Sequence, residues 1–128
     1  MSSPTLTLTW TKAGDQTAQA VTISGGGAHQ HIEDTIAGST TDKQVNCAID
    51  ASNLKGIYLL ATGALTLQAN DSSSPDFTIT LSANKPFVWY DGCGITKPIT
   101  ADVTEFYVTN AGGSSVDLDI YVEQDPTP

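Results

Sequence analysis

Two histidines and a glutamate, His29, His31 and Glu33, occupy alternate positions in an H-x-H-x-E run. Imidazole and carboxylate are ligands that zinc takes, and on a strand residues two apart share a face, so the spacing is compatible with a metal. The run is not sufficient by itself, because a site also needs a ligand from elsewhere in the chain and outer-shell support. Three glycines, Gly25-Gly26-Gly27, precede it, which equally fits a mobile loop leading into a strand. The imidazoles offer a second chemistry as well, a change of charge near pH ~6.5.

Carboxylates form two further groups. Asp117, Asp119 and Glu123 fall on one face of a C-terminal alternating run. Paired carboxylates act as acid and base in glycoside hydrolysis. Alternate acids on the wet face of a strand also keep a sheet edge from pairing with its neighbours, and that reading is the stronger. Asp71 and Asp76 flank the serine-rich stretch Ser72-Ser73-Ser74-Pro75, but the order of residues is not that of an EF-hand loop, so a solvated turn is expected.

Nucleophile signatures are missing from the sequence: it has no G-x-S-x-G elbow, no P-loop and no H-E-x-x-H. No catalytic residue and no cofactor is expected, and the metal candidates are His29, His31 and Glu33 alone. Trp10, Trp89 and Tyr90 could line a sugar-binding face, since aromatic rings stack on apolar sugar faces. Against that, Trp10 continues the inward series of Leu6 and Leu8 and is expected in the core. In Phe87-Val88-Trp89-Tyr90, alternation pairs Phe87 with Trp89 and Val88 with Tyr90, leaving open which pair faces inward. Cys47 and Cys93 are the two cysteines. Two unpaired, buried thiols are expected, although a disulfide is decided only by geometry.

The elements that must position these groups are strands. Leu6, Leu8 and Trp10 alternate with threonines. So do Leu65 and Leu67, then Phe77, Ile79 and Leu81, while Val116, Leu118, Ile120 and Val122 alternate with polar residues. Period two means one buried and one wet face per strand. Val103 to Thr109 puts Phe106 and Val108 on one face, Glu105 and Tyr107 on the other. Ala18 to Ile23 and Phe87 to Tyr90 are further strands. Val45 to Ile49 and Ile57 to Ala61 are nearly all apolar, which suggests cover on both sides. Asp50 to Lys55 fits one helical turn. With turn residues every 8–12 positions or so, about nine short strands are expected, in a single antiparallel β-sandwich of jelly-roll or immunoglobulin type. The whole chain reads as one domain, with residues 1–5 and 125–128 as flexible ends.

Composition agrees with that architecture and limits the partners. Only 15% of residues are charged, against roughly a quarter in an ordinary domain, and threonine, serine, glycine and asparagine take their place. A net charge of -9 with five lysines and no arginine disfavours nucleic acid and anionic membranes. No stretch approaches about 18 apolar residues, and the N-terminus lacks a basic segment followed by an apolar run. Synthesis in the cytoplasm without a signal peptide is therefore expected.

From Asp50-Ala-Ser-Asn-Leu-Lys-Gly-Ile-Tyr-Leu the chain runs through Leu65-Thr-Leu-Gln-Ala-Asn to Phe77-Thr-Ile-Thr-Leu-Ser-Ala-Asn-Lys-Pro-Phe-Val-Trp-Tyr. It closes with Asp102-Val-Thr-Glu-Phe-Tyr-Val-Thr-Asn-Ala and Leu118-Asp-Ile-Tyr-Val-Glu-Gln-Asp. Over residues 32 to 125 this pattern of strands and turns resembles the small β-sandwich decoration, or cement, proteins of tailed bacteriophages. The resemblance implies a virion structural protein on the outer capsid surface, bound to the major capsid protein. It also implies a homotrimer and an N-terminal arm, which residues 1 to 5 could begin, and it carries over no catalytic residue. Tyr58, Leu60 or Phe106 are seam candidates if they lie outside the core. A carbohydrate-binding module or adhesin using exposed aromatics is the alternative.

Overall fold

Alternation of apolar and polar residues is realised as ten strands in the computed structural model, which describes residues 5–12, 15–22 and 28–125, with side chains from residue 28 onward. β1 (Thr5–Lys12) and β2 (Asp15–Thr22) come first. β3 (Ala28–Ile36), β4 (Thr40–Ile49), β5 (Leu54–Ala61) and β6 (Leu65–Ala69) follow. β7 (Thr78–Leu81), β8 (Phe87–Tyr90), β9 (Val103–Asn110) and β10 (Val116–Gln124) complete the set. The expected helical turn is a single 3-10 turn, Ala51–Asn53, capped by the Asp50 carboxylate.

Eight of these strands form two four-stranded sheets, ordered β3-β10-β5-β8 and β4-β9-β6-β7, antiparallel throughout. Successive strands alternate between the sheets at both ends of this stretch, and the last strand lies beside the first. That is jelly-roll order, two Greek keys folded face to face, and it separates the fold from the immunoglobulin alternative. β1 and β2 pair with each other, from Thr5 opposite Thr22 to Lys12 opposite Asp15, and hydrogen-bond to neither larger sheet. The N-terminal alternating run is therefore half of a separate hairpin and not a strand of the sandwich. The expected burial of Trp10, the Gly25-Gly26-Gly27 loop and the loose ends at 1–4 and 126–128 lie outside the described residues and side chains. Thr5 begins β1, and the Asp125 amide donates to Asn53 O at 2.9 Å.

The core lies between the two sheets. Ile57, Leu59, Leu118 and Ile120 meet Val45, Leu67, Phe106 and Val108, all buried. Burying one such side chain contributes on the order of 1.5–3 kcal/mol. Outward Thr66, Gln68, Thr78 and Thr80 cover the far side of the β4-β9-β6-β7 sheet, as alternation predicts. β4 departs from expectation: Val45, Cys47 and Ile49 are buried while Asn46 and Ala48 are exposed, so it is covered on one side only. β5 keeps more cover, with Tyr58 and Leu60 half-buried on its outer face. Phe106 is fully buried and is a core residue, not a seam residue.

Both cysteines are free. Cys47 is buried on the inner face of β4, and burial pushes its thiol up to about 12. Cys93 is half-buried in the loop after β8, its sulfur 3.9 Å from Ile95 O. Since the thiolate is the nucleophile, Cys47 is inert in the folded chain. A disulfide-exchange dye at mildly alkaline pH labels Cys93 alone until denaturant is added. Cys93→Ser removes that labelling. Rapid reaction of the Cys93→Ser chain would contradict the placement of Cys47.

Candidate functional site

β10 is an interior strand, flanked by β3 and β5, so its outward residues stand in the middle of a sheet face. The acids Asp117 and Asp119 therefore do not guard an edge, contrary to the sequence expectation; the edges of this sheet are β3 and β8. Register sets the face in rows. Glu123 lies between His29 and Gly56, Tyr121 between His31 and Tyr58, and Asp119 between Glu33 and Leu60. Asp117 opposes Thr35, whose hydroxyl donates to its carboxylate at 3.0 Å.

The H-x-H-x-E run is strand rather than loop, and its three side chains share this outer face. They are not brought together as one set. His29 Nδ1 is 3.0 Å from Glu123 Oε2, and Glu123 is only 4% exposed. Alternation predicts a wet carboxylate at 123. It keeps its place on the outer face but lies against the sheet, because Gly56, opposite on β5, has no side chain to hold it away and His29 closes on it from β3. A glycine inside a strand pattern marks a bulge or close approach, and that was the available signal.

His31 turns the other way along the face. Its ring stacks on Tyr121 at 4.0 Å with 8° between planes, and Tyr58 meets Tyr121 edge-on at 5.8 Å. His31 Nε2 is 3.2 Å from Asp119 Oδ1 and 3.4 Å from Glu33 Oε1. One ligand atom from each of His31, Glu33 and Asp119 lies within 4.8 Å of the others. Asp119 is thus the third donor atom beside His31 and Glu33, one that the sequence alone could not place there. Among the described residues, Lys43 pairs with Asp34 and Lys55 with Asp91, and no lysine pairs with Glu33, Asp117 or Asp119. Those three acids border a shallow, open depression.

The other candidates are structural. Trp89 is buried, its Nε1 donates to Ile95 O at 2.9 Å, and the Lys97 ammonium sits 5.7 Å over the ring. Phe87 and Trp89 are therefore the inward pair of β8, and Trp89 has no face free for a sugar. Tyr90 is half-buried. Asp71 accepts the amides of Ser73 (2.7 Å) and Ser74 (3.2 Å), which hold its carboxyl below the usual range. Asp76 accepts from Asn70 Nδ2 at 2.7 Å, so both acids serve the turn.

Fold and site together define a jelly-roll β-sandwich with a histidine, tyrosine and carboxylate cluster on the outside of one sheet. No protein-family model matches the chain, and no curated protein matches it either. Among solved structures it is similar to a de novo designed double-stranded β-helix, at 8% identity and a TM-score of 0.46, covering 73% of this chain and 99% of the other. It is also similar to a Bacillus endospore appendage from a family of disulfide-linked pili (11% identity, TM-score 0.41, covering 77% and 91%). A third is the Schizosaccharomyces pombe Cnp3 cupin domain (8% identity, TM-score 0.40, covering 98% and 86%). Likeness at that level assigns no chemistry to this chain.

Proposed function

We propose that this chain is a non-catalytic structural protein that docks through the outer face of the β3-β10-β5-β8 sheet onto a repeating protein lattice, the outer capsid surface of a tailed bacteriophage. The observation that carries the docking face is the exposed Tyr121, held rigid between His31 and Tyr58 at the centre of the sheet and bordered by carboxylates. Rigid aromatic anchors with a polar rim are what protein interfaces favour. The lattice is chosen on the resemblance of residues 32 to 125, and jelly rolls serve in viral capsid domains. In that setting the major capsid protein is the partner, the location is the virion, and a trimer multiplies weak contacts into firm retention.

The test is sedimentation of the purified chain with assembled capsids that lack it. Expected is saturable co-sedimentation, abolished by Tyr121→Ala, with a trimeric mass by light scattering. A chain that stays in the supernatant at every capsid concentration overturns the reading. A second reading, glycan binding, is favoured by the same observation, because the Tyr121 ring lies beside carboxylates that could accept sugar hydroxyls. Retardation in a polysaccharide gel, abolished by Tyr121→Ala, would select it. Trp89 itself offers no exposed ring to such a ligand, since it is buried.

A further inference from the structure

We propose that His31, Glu33 and Asp119 bind a divalent transition-metal ion, best fitted by zinc, on the outer face of the β3-β10-β5-β8 sheet. The two spacings from His31 are those of a coordination shell, and all three ligand atoms lie within 4.8 Å of one another. Ligand atoms at ~2.0–2.1 Å from a tetrahedral ion lie about 3.3–3.4 Å apart. Here His31 Nε2 is 3.2 Å from one carboxylate oxygen and 3.4 Å from the other.

Without an ion, two carboxylates share one imidazole nitrogen. Glu33 and Asp119 are direct cross-strand partners, and like charges in that position repel. Between them stands the His31 Nε2, 3.2 Å from Asp119 Oδ1 and 3.4 Å from Glu33 Oε1, so one nitrogen serves both acids. A cation among the three atoms would neutralise both carboxylates at once. No lysine takes that place among the described residues.

Preorganisation comes from the fold. The three ligands are on adjacent strands of one sheet, and the Tyr121 ring, stacked flat on His31, fixes the plane in which Nε2 points. Sites on strands hold geometry better than sites on loops. One nitrogen with two oxygens suits zinc or its first-row neighbours more than calcium, which takes oxygens only. Three protein ligands leave a fourth position open to water or to a donor from outside the chain. His29 is excluded from the set because its Nδ1 faces Glu123.

Zinc ion alone, titrated calorimetrically into the full chain in a non-chelating buffer at neutral pH, tests this. Expected is one saturable site, weakened about tenfold or more by His31→Gln or Asp119→Asn, a loss of the size seen when even outer-shell support is removed. His29→Gln and Cys93→Ser keep wild-type affinity. Zinc also raises the melting temperature of the wild type and not of His31→Gln. Absence of saturable uptake overturns the proposal, as does wild-type affinity in His31→Gln, or an equal loss in His29→Gln or Cys93→Ser. Should a variant fail to fold, manganese ion added to isotopically labelled wild type gives the same decision. Line broadening that begins at residues 31–33 and 119–121 supports the site, and broadening that begins elsewhere overturns it.

Discussion

Phe106→Ala lowers the free energy of unfolding by about 3–5 kcal/mol, as truncation of a fully buried aromatic does. Phe106 is fully buried on β9, opposite Val45 on one side and Ala69 on the other, and its ring meets Phe77 edge-on at 6.3 Å. Truncation removes the transfer energy of the ring and leaves a cavity. The cavity is hard to close, because β9 is hydrogen-bonded on both sides and the Ala69 neighbour is too small to lean in. Urea denaturation should show a lower midpoint with an unchanged slope. Tyr107→Ala, one residue along on the outer face, should cost less than half as much. Equal losses at 106 and 107 would mean that the alternation of β9 has been misassigned. Any effect of Phe106→Ala on the proposed docking would follow from unfolding, so that proposal is tested at Tyr121 instead.

The same alternation explains how much was legible in the sequence. Period two assigns Phe106 and Val108 to one face and Glu105 and Tyr107 to the other, and the fold agrees. It cannot say which strand lies beside which. Whether Asp119 guards an edge or stands mid-sheet depends on β3 and β5 closing on either side of β10, a long-range pairing with no local signature. His31 and Glu33 were visible together because they are two residues apart. Their partner Asp119 is 88 positions from His31, and only register brings it across. Alternation also leaves Phe87 with Trp89 and Val88 with Tyr90 as equivalent pairs. Ile57 and Leu59, opposite Trp89 and Phe87 on β5, settle the matter because they already face the core. Glu123 fails for a related reason: period two places it correctly on the outer face, but its cross-strand neighbours Gly56 and His29, which bury it there, are known only from the register.

Asn110→Ala is the second large effect, expected at about 2–4 kcal/mol from the polar groups it strands. In the sequence Asn110 only opens the turn from 110 to 115. In the fold it is 1% exposed, and its amide ties three segments together. Nδ2 donates to Ile36 O (3.0 Å), Ala37 O (3.3 Å) and Ser114 O (2.8 Å), while Oδ1 accepts from Gly112 N (3.0 Å). The end of β3 is thereby fixed to the β9–β10 turn. Ser39 N reinforces the junction by donating to Gly112 O at 2.7 Å. There is no spare room: a Cβ added at Gly38 would lie 2.5 Å from the Gly113 backbone, so a side chain there forces the two turns apart. Removing the Asn110 amide leaves the Ile36 carbonyl buried without that donor, and a buried unsatisfied group costs about 1–3 kcal/mol by itself. Asn110→Asp discriminates donor loss from volume loss, since it keeps the shape and replaces the donor with an acceptor facing three carbonyl oxygens. It should be at least as damaging as alanine at neutral pH. Its carboxyl pKa, raised in the folded state by those oxygens, makes the penalty largest at high pH and smaller as pH falls through that pKa. An aspartate variant as stable as wild type would show that the junction is held by packing and not by the amide. Since this junction sets the end of β3 against β10, the same variant should also loosen the register that places Glu33 opposite Asp119.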